Sequence, residues 1–203
     1  NGANVGTNSP TYSYIPVNND AVTCILTSNV TCATGNPATS NEIRMIVNYL
    51  PVLTIYVKSD ASGANNGNSW PDAFKSLQDA LNASVTGTVI WVAGGTYTPT
   101  SADSNPRNGS FRLKSGVAVY GGFSGTETTL SQRNWSTHET ILSGDLAGND
   151  VVTGSGATLQ MTNYGENSYH VVYCEGVDNT SALNGFTIKG GNAEGSRGGG
   201  FCI

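Results

Sequence analysis

From about residue 88 onward the apolar residues come in short bursts ended by Gly or Asn: Val89–Ala93, Phe111–Leu113, Val117–Phe123, Thr140–Leu142, His170–Cys174, Phe186–Ile188 and Gly200–Ile203. This punctuation constrains the fold more than any other feature. Such bursts are too short to bury one face of a helix. Near-continuous apolarity over a few residues is the pattern of strands covered by stacked neighbours. Composition agrees where it bears on the point: 26 glycines in 203 residues supply the turns, and the chain is rich in Thr and Asn but poor in helix formers. A weak echo sets Val172-Tyr173-Cys174 against Gly200-Phe201-Cys202, 28 residues on. A generic antiparallel β-sandwich is the alternative arrangement for the same bursts.

One segment breaks the pattern. Ser69–Ser84 predicts a helix, with Ser69 as N-cap, Asp72 three residues on and Pro71 in the first turn. Trp70, Phe74, Leu77 and Leu81, with Ala73 and Ala80, share one helical stripe, and Gly87 is the expected stop. Ahead of it, residues 1–48 alternate strands and turns. Val22, Cys24 and Leu26 lie at period two, as do Ile43, Met45 and Val47. Residues 49–58 form a junction, where Pro51 forbids a continuous central strand.

Two resemblances follow from particular residues. Asn1–Gly6, Ser9–Tyr14, Asp20–Cys24 and Asn36–Asn41 resemble the C-terminal half of an immunoglobulin-like (PKD-like) domain of large secreted bacterial surface proteins. Farther on come Ile55-Tyr56-Val57, Gly63–Trp70, the helix, Val89–Tyr97, Val119–Phe123, Gly125-Thr126-Glu127, Ile141–Asp145, Asn184–Ile188 and Gly198-Gly199-Gly200. In that order they resemble the opening of a right-handed parallel β-helix of the pectate-lyase-like superfamily. The fold class implied is all-β: the first coils of that β-helix with an N-terminal capping helix, preceded by a partial immunoglobulin-like β-sandwich. The domains implied are residues 1–50 and 51–203.

Function classes are narrowed by charge and motif. Nine Lys plus Arg against fourteen Asp plus Glu give a net charge of −5, with no basic footprint for nucleic acid or an anionic membrane. No run of 18 apolar residues is present. Neither C-x-x-C nor a Cys/His cluster occurs, and His138 and His170 are isolated in sequence, so no zinc site is expected. Sugar-cleaving chemistry needs two carboxylates at fixed separation, or carboxylates holding Ca²⁺ beside a basic residue. Glu139, Asp145, Asp150, Glu175 and Asp178 are the candidates, without a paired motif that joins them. Arg112-Leu113-Lys114 resembles the Arg-x-Lys of polygalacturonases but lacks its Asp and His partners, and reads as a solvated pair on a strand. Asp60, Asn65, Asn66 and Asp72 offer oxygens for Ca²⁺, with turn and cap roles preferred. No catalytic residue, metal ligand or cofactor site is therefore assigned, Ca²⁺ being the one cofactor considered.

Four cysteines suit an oxidising compartment. A turn centred on Ser28 would set Cys24 opposite Cys32. If the β-helix holds, Cys174 and Cys202 would stack on adjacent coils. Among the aromatics, Trp91 and Tyr120 read as packing groups, while Trp135, flanked by Arg133, Asn134 and Ser136, is the candidate carbohydrate contact. The expectation is a non-catalytic structural or adhesive module, extracellular or at a bacterial cell surface. Its partners would be further copies of itself, as in a filament, neighbouring domains of a longer chain, or a polysaccharide. The alternatives are a carbohydrate-active β-helix enzyme with its site on later coils, or a carbohydrate-binding module.

Overall fold

The computed structural model describes residues 3–6, 8–47, 52–195 and 198–202. The chain divides into two units, Asn1–Pro51 and Val52–Ile203. In the first, β1 (Ala21–Val22), β2 (Ile25–Leu26), β3 (Ala38–Thr39) and β4 (Ile43–Arg44) form two antiparallel pairs, β1 with β4 and β2 with β3. None of its described side chains is buried: Val22 and Met45 are half-buried, Leu26 and Ile43 exposed. The period-two pattern makes strands here, but two two-stranded pairs are too small to bury an apolar face.

In the second unit β5 (Leu53–Val57) leads to α1 (Leu77–Ala83), β6 (Thr88–Ala93), β7 (Gly95–Tyr97), β8 (Phe111–Arg112), β9 (Ala118–Phe123) and β10 (Thr140–Ser143). Then follow β11 (Val151–Thr153), β12 (Gln160–Thr162), β13 (Val172–Tyr173), β14 (Ala182–Asn184), β15 (Thr187–Lys189) and β16 (Phe201–Cys202). Ten of these strands make three parallel sheets in the orders β14-β9-β6-β5, β15-β10-β7 and β16-β13-β8, while β11 and β12 form an antiparallel hairpin.

Register decides what each sheet buries. Ile55, Ile90, Val119 and Leu183 stand side by side across the four-stranded sheet, and Tyr97, Leu142 and Ile188 across the second. Phe111, Val172 and Phe201 align across the third. Residues of all three sheets join Leu77, Ala80 and Leu81 of α1 in one apolar core. The other face of the four-stranded sheet carries Tyr56, Trp91 and Tyr120 in register. Trp70 and Phe123 cover it, with the Trp91 and Phe123 rings stacked at 4.8 Å.

The expected fold class does not stand. Among the described residues strands take 26% and helices 8%, in parallel sheets of mixed α/β character that form neither a barrel nor a solenoid. The all-β right-handed parallel β-helix is therefore not the class of this architecture, nor is the N-terminal unit a partial immunoglobulin-like sandwich. The physical reason is strand length. Most strands span two or three residues, long segments of loop and hairpin separate them, and two-residue pairs without buried side chains build no sandwich layer.

The expected helix is also shortened. Only Leu77–Ala83 is helical, and its cap is Ser76, whose Oγ accepts from the N–H groups of Gln78 and Asp79. Upstream, Phe74 exchanges backbone hydrogen bonds with Tyr56 and Lys58 as an extra rung beside β5. Trp70 joins the aromatic cluster rather than the helical stripe. Ser69 does hydrogen-bond Asp72, but in a loop. Pro51, Asn1, Gly2 and Ile203, which figure in the sequence reading, lie outside the described residues. No helix among the described residues is long and apolar enough to cross a membrane.

Candidate functional site

The outward positions of the sheet β16-β13-β8 and the loops entering it bring two arginines and two tyrosines together. Alternation along β8 turns Phe111 to the core and Arg112 outward, and along β13 it turns Val172 inward and Tyr173 outward. Arg112 and Tyr173 are register partners, so the guanidinium lies over the ring, 4.5 Å from its centroid. The loops entering the two strands repeat the arrangement. Tyr169 donates its backbone N–H to the Arg107 carbonyl, and the Arg107 guanidinium sits 4.1 Å from the Tyr169 ring centroid. Between them opens a cleft of about 520 Å³ that Asp103, Asn108, His170 and Glu194 also line.

The two arginines differ in their neutralisation. Arg107 is held by Glu194 at 2.6 Å and by the Asn167 and Asn192 carbonyls at 2.8 and 3.0 Å. Arg112 is exposed, and the ion pairs among the described residues are Arg44–Glu42, Lys58–Asp60 and Arg107–Glu194. Its charge is therefore presented to solvent on a ring face that fixes its orientation. His170 Nδ1 is 3.0 Å from the Gly198 carbonyl, an acceptor that calls for a proton on that nitrogen. Tyr173 donates to Glu175 at 2.7 Å, and this hydrogen bond raises its pKa above the ordinary phenol value.

Trp135, the expected carbohydrate contact, is 57% exposed. Arg133 lies between it and Tyr120, 5.2 and 5.0 Å from the two ring centroids. The loop is pressed onto β9 at Gly122, whose φ is 94°; a side chain there would meet the Trp135 backbone at 2.9 Å. One face of the indole is thus taken by an arginine of its own loop. Trp91 is buried, as its apolar run implied, and Tyr120 is half-buried.

The other candidates go to separate places. Lys114 turns from Arg112 to the end of α1, where Nζ donates to the Asn82 and Ser84 carbonyls, both at 3.1 Å. Glu139 accepts from Thr187, and Asp178 from the backbone and hydroxyl of Thr180. Asp60, Asn65, Asn66 and Asp72 do turn and cap work, pairing respectively with Lys58 and the N–H groups of Lys75, Asn68 and Ala64. Asp145 and Asp150, by contrast, are brought together with Glu166, a residue that sequence reasoning passed over. Burial works to raise the Asp145 pKa, but the N–H groups of Asp150, Asn149 and Gly148 outweigh it and hold the carboxyl below its ordinary value.

All four cysteines are free thiols here. Across from Cys24 stands Ser40, whose N–H donates to the Cys24 carbonyl at 2.9 Å; Cys32 sits apart in a turn at φ 67°. The expected 24–32 facing pair is thereby replaced. Cys202 is the register partner of Tyr173, so Cys174 lies one step beyond it and, by alternation, on the other face. Burial, with Cys202 nearby, pushes the Cys174 thiol up. Cys174 lines a recess with Leu113, Leu183, Phe186 and Ile188, which Asp178, Ser181 and Asn184 also border.

The arginine–tyrosine cleft escaped the sequence because its residues look unremarkable in one dimension. The signal was present only as Arg107 and Arg112 on one side and Tyr169 and Tyr173 on the other, at spacings of five and four residues. No family model, curated protein or solved structure matches the chain.

Proposed function

We propose that this chain is a non-catalytic adhesive module of an extracellular protein, and that its cleft holds a polysaccharide bearing carboxylate or sulfate groups. The observation that carries this reading is the pair of guanidinium–tyrosine stacks converging on one cleft. Pyranose rings pack their C–H faces on aromatic side chains, and a guanidinium fork matches a carboxylate or sulfate in two parallel hydrogen bonds. Arg107 is already neutralised by Glu194, so the available charge is that of Arg112, which Tyr173 pre-orients. Asp103, Asn108 and His170 line the cleft around it, Asn108 Nδ2 donating to Asp103 at 2.9 Å.

Affinity electrophoresis in gels carrying uronate, sulfated or neutral polysaccharides tests the reading. Retardation by an acidic polymer is expected, and Arg112→Ala should weaken it about tenfold, the worth of one charge-assisted contact. Trp135→Ala should leave it unchanged. Retardation by none of the polymers, or retardation indifferent to Arg112, would overturn the cleft. Unsaturated products or new reducing ends released from the polymer would replace adhesion by catalysis.

A further inference from the structure

The carboxylates of Asp145, Asp150 and Glu166 each place an oxygen within 4.8 Å of the others. Asp145 and Asp150 flank the Gly148 turn after β10, and Glu166 comes from the segment before β13. Three carboxyl groups are gathered at this separation without a counter-charge, since no ion pair among the described residues touches them. A single hard cation supplies that counter-charge. Ca–O bonds of about 2.3–2.6 Å allow two ligands of one ion to stand as far as about 5 Å apart.

A second observation points to a ligand independently of the charges. Six buried side-chain polar atoms lack a hydrogen-bond partner among the described residues, and four of them are Asp150 Oδ1, Glu166 Oε1, Asn167 Oδ1 and Ser168 Oγ. Asn167 is fully buried, with 0% of its surface exposed. Its carboxamide lies against the cluster, Nδ2 being 2.8 Å from Asp150 Oδ2, and the oxygen of the same carboxamide is a buried, uncharged acceptor without a partner. Buried acceptors gathered in this way are what a bound ion satisfies. An all-oxygen donor set selects Ca²⁺ or Mg²⁺ over softer metals, and three carboxylates with an amide suit the larger, less strictly octahedral ion.

The surrounding fold gives the ion a task. Between Asp150 and Glu166 the chain leaves the core as the hairpin β11–β12, in which Val151, Val152 and Leu159 are exposed. An isolated two-stranded hairpin is marginal in water, and its neck is where the cluster sits. We infer that Asp145, Asp150, Glu166 and Asn167 form a Ca²⁺ site that staples the neck of this hairpin to the core. The inference is independent of what the cleft binds.

Calorimetric titration of the EDTA-treated chain with CaCl₂, and separately with MgCl₂, reads the site directly. One Ca²⁺ per chain is expected, with a Kd of about 10⁻⁴ M or tighter, as for extracellular Ca²⁺ modules or better, and weaker Mg²⁺ binding. Asp150→Asn and, separately, Glu166→Gln should each weaken Ca²⁺ at least tenfold. Thermal melts carry an opposite sign in the two conditions. In EDTA each variant should melt at or above the wild type, because one carboxyl without a counter-charge is gone; in millimolar Ca²⁺ each should melt below it. Absence of Ca²⁺ heat with an unshifted wild-type Tm would overturn the site whatever the variants do. Ca²⁺ binding that both variants leave intact would overturn the assignment, as would equal destabilisation with and without the ion.

Discussion

At the scale of the residue, Glu127 shows how a charge is kept in a mostly apolar setting. It is buried beside Gly125, and its carboxylate accepts from the N–H groups of Ser124, Gly125 and Thr126 at 2.6, 3.0 and 2.9 Å. Burial would raise its pKa, but the backbone hydrogen bonds outweigh that and hold it at about 2, against an ordinary 4.5. The folded-state pKa is depressed, so the stabilisation is complete above the unfolded-state value of about 4.3 and is lost as pH falls towards the folded value. Glu127→Gln should therefore cost about 2 kcal/mol near neutrality. In melts recorded against pH, the gap between variant and wild type should narrow below about pH 4.3 and close near pH 2. A gap independent of pH would mean that the loop is held by shape rather than by charge. The same turn carries the carbonyl that receives Trp70 Nε1 at 2.9 Å, so one carboxylate secures the aromatic cluster as well.

At the scale of the element, α1 is too short to form alone, since seven residues do not offset helix nucleation. It exists because Leu77, Ala80 and Leu81 are buried against β5, β6 and β8, because Ser76 caps its first turn, and because Lys114 Nζ donates to the carbonyls at its end. Leu77 is 2% exposed, and Leu77→Ala should cost about 3 kcal/mol in urea unfolding through the cavity it leaves. A loss below about 1 kcal/mol would show that the surrounding strands hold the core without the helix. Strand register belongs to this scale too. The echo in the sequence sets Cys174 against Cys202, whereas hydrogen bonding sets Tyr173 there. A slip of one residue reverses which side chains face the core. It turns the two thiols to opposite faces and brings Arg112, Tyr173 and Cys202 onto the outer face in line.

At the scale of the whole molecule, the two units differ in what holds them. The first has no buried side chain among its described residues, whereas the second wraps three parallel sheets around one core. Limited proteolysis followed by mass spectrometry should cut within residues 8–47 first and leave a resistant fragment starting near residue 52, because cleavage follows local opening. First cuts inside β6 or β9 would contradict this division. Much of the second unit's local structure was legible in the sequence. The apolar bursts at Val89–Ala93, Phe111–Leu113, Val117–Phe123, Thr140–Leu142 and Phe186–Ile188 each contain or overlap a strand. That legibility has a local cause: side-chain branching and backbone sterics act within a few residues, so apolar runs and glycine turns declare themselves in one dimension. The segment Ser69–Lys75 shows the limit. Its helical pattern was sound, yet pairing of Phe74 with β5 and burial of Trp70 against Trp91 and Phe123 offered more than another helical turn. Fold class, register and the assembly of both proposed sites were decided by the tertiary structure, although Arg112, Asp145 and Asp150 stood out in the sequence. Asp145 and Glu166 are 21 residues apart in the chain, and Arg107 and Tyr169 are 62. Nothing local encodes such distances; they are set when strands far apart in sequence find the one register that buries Phe111, Val119, Leu142 and Val172 together.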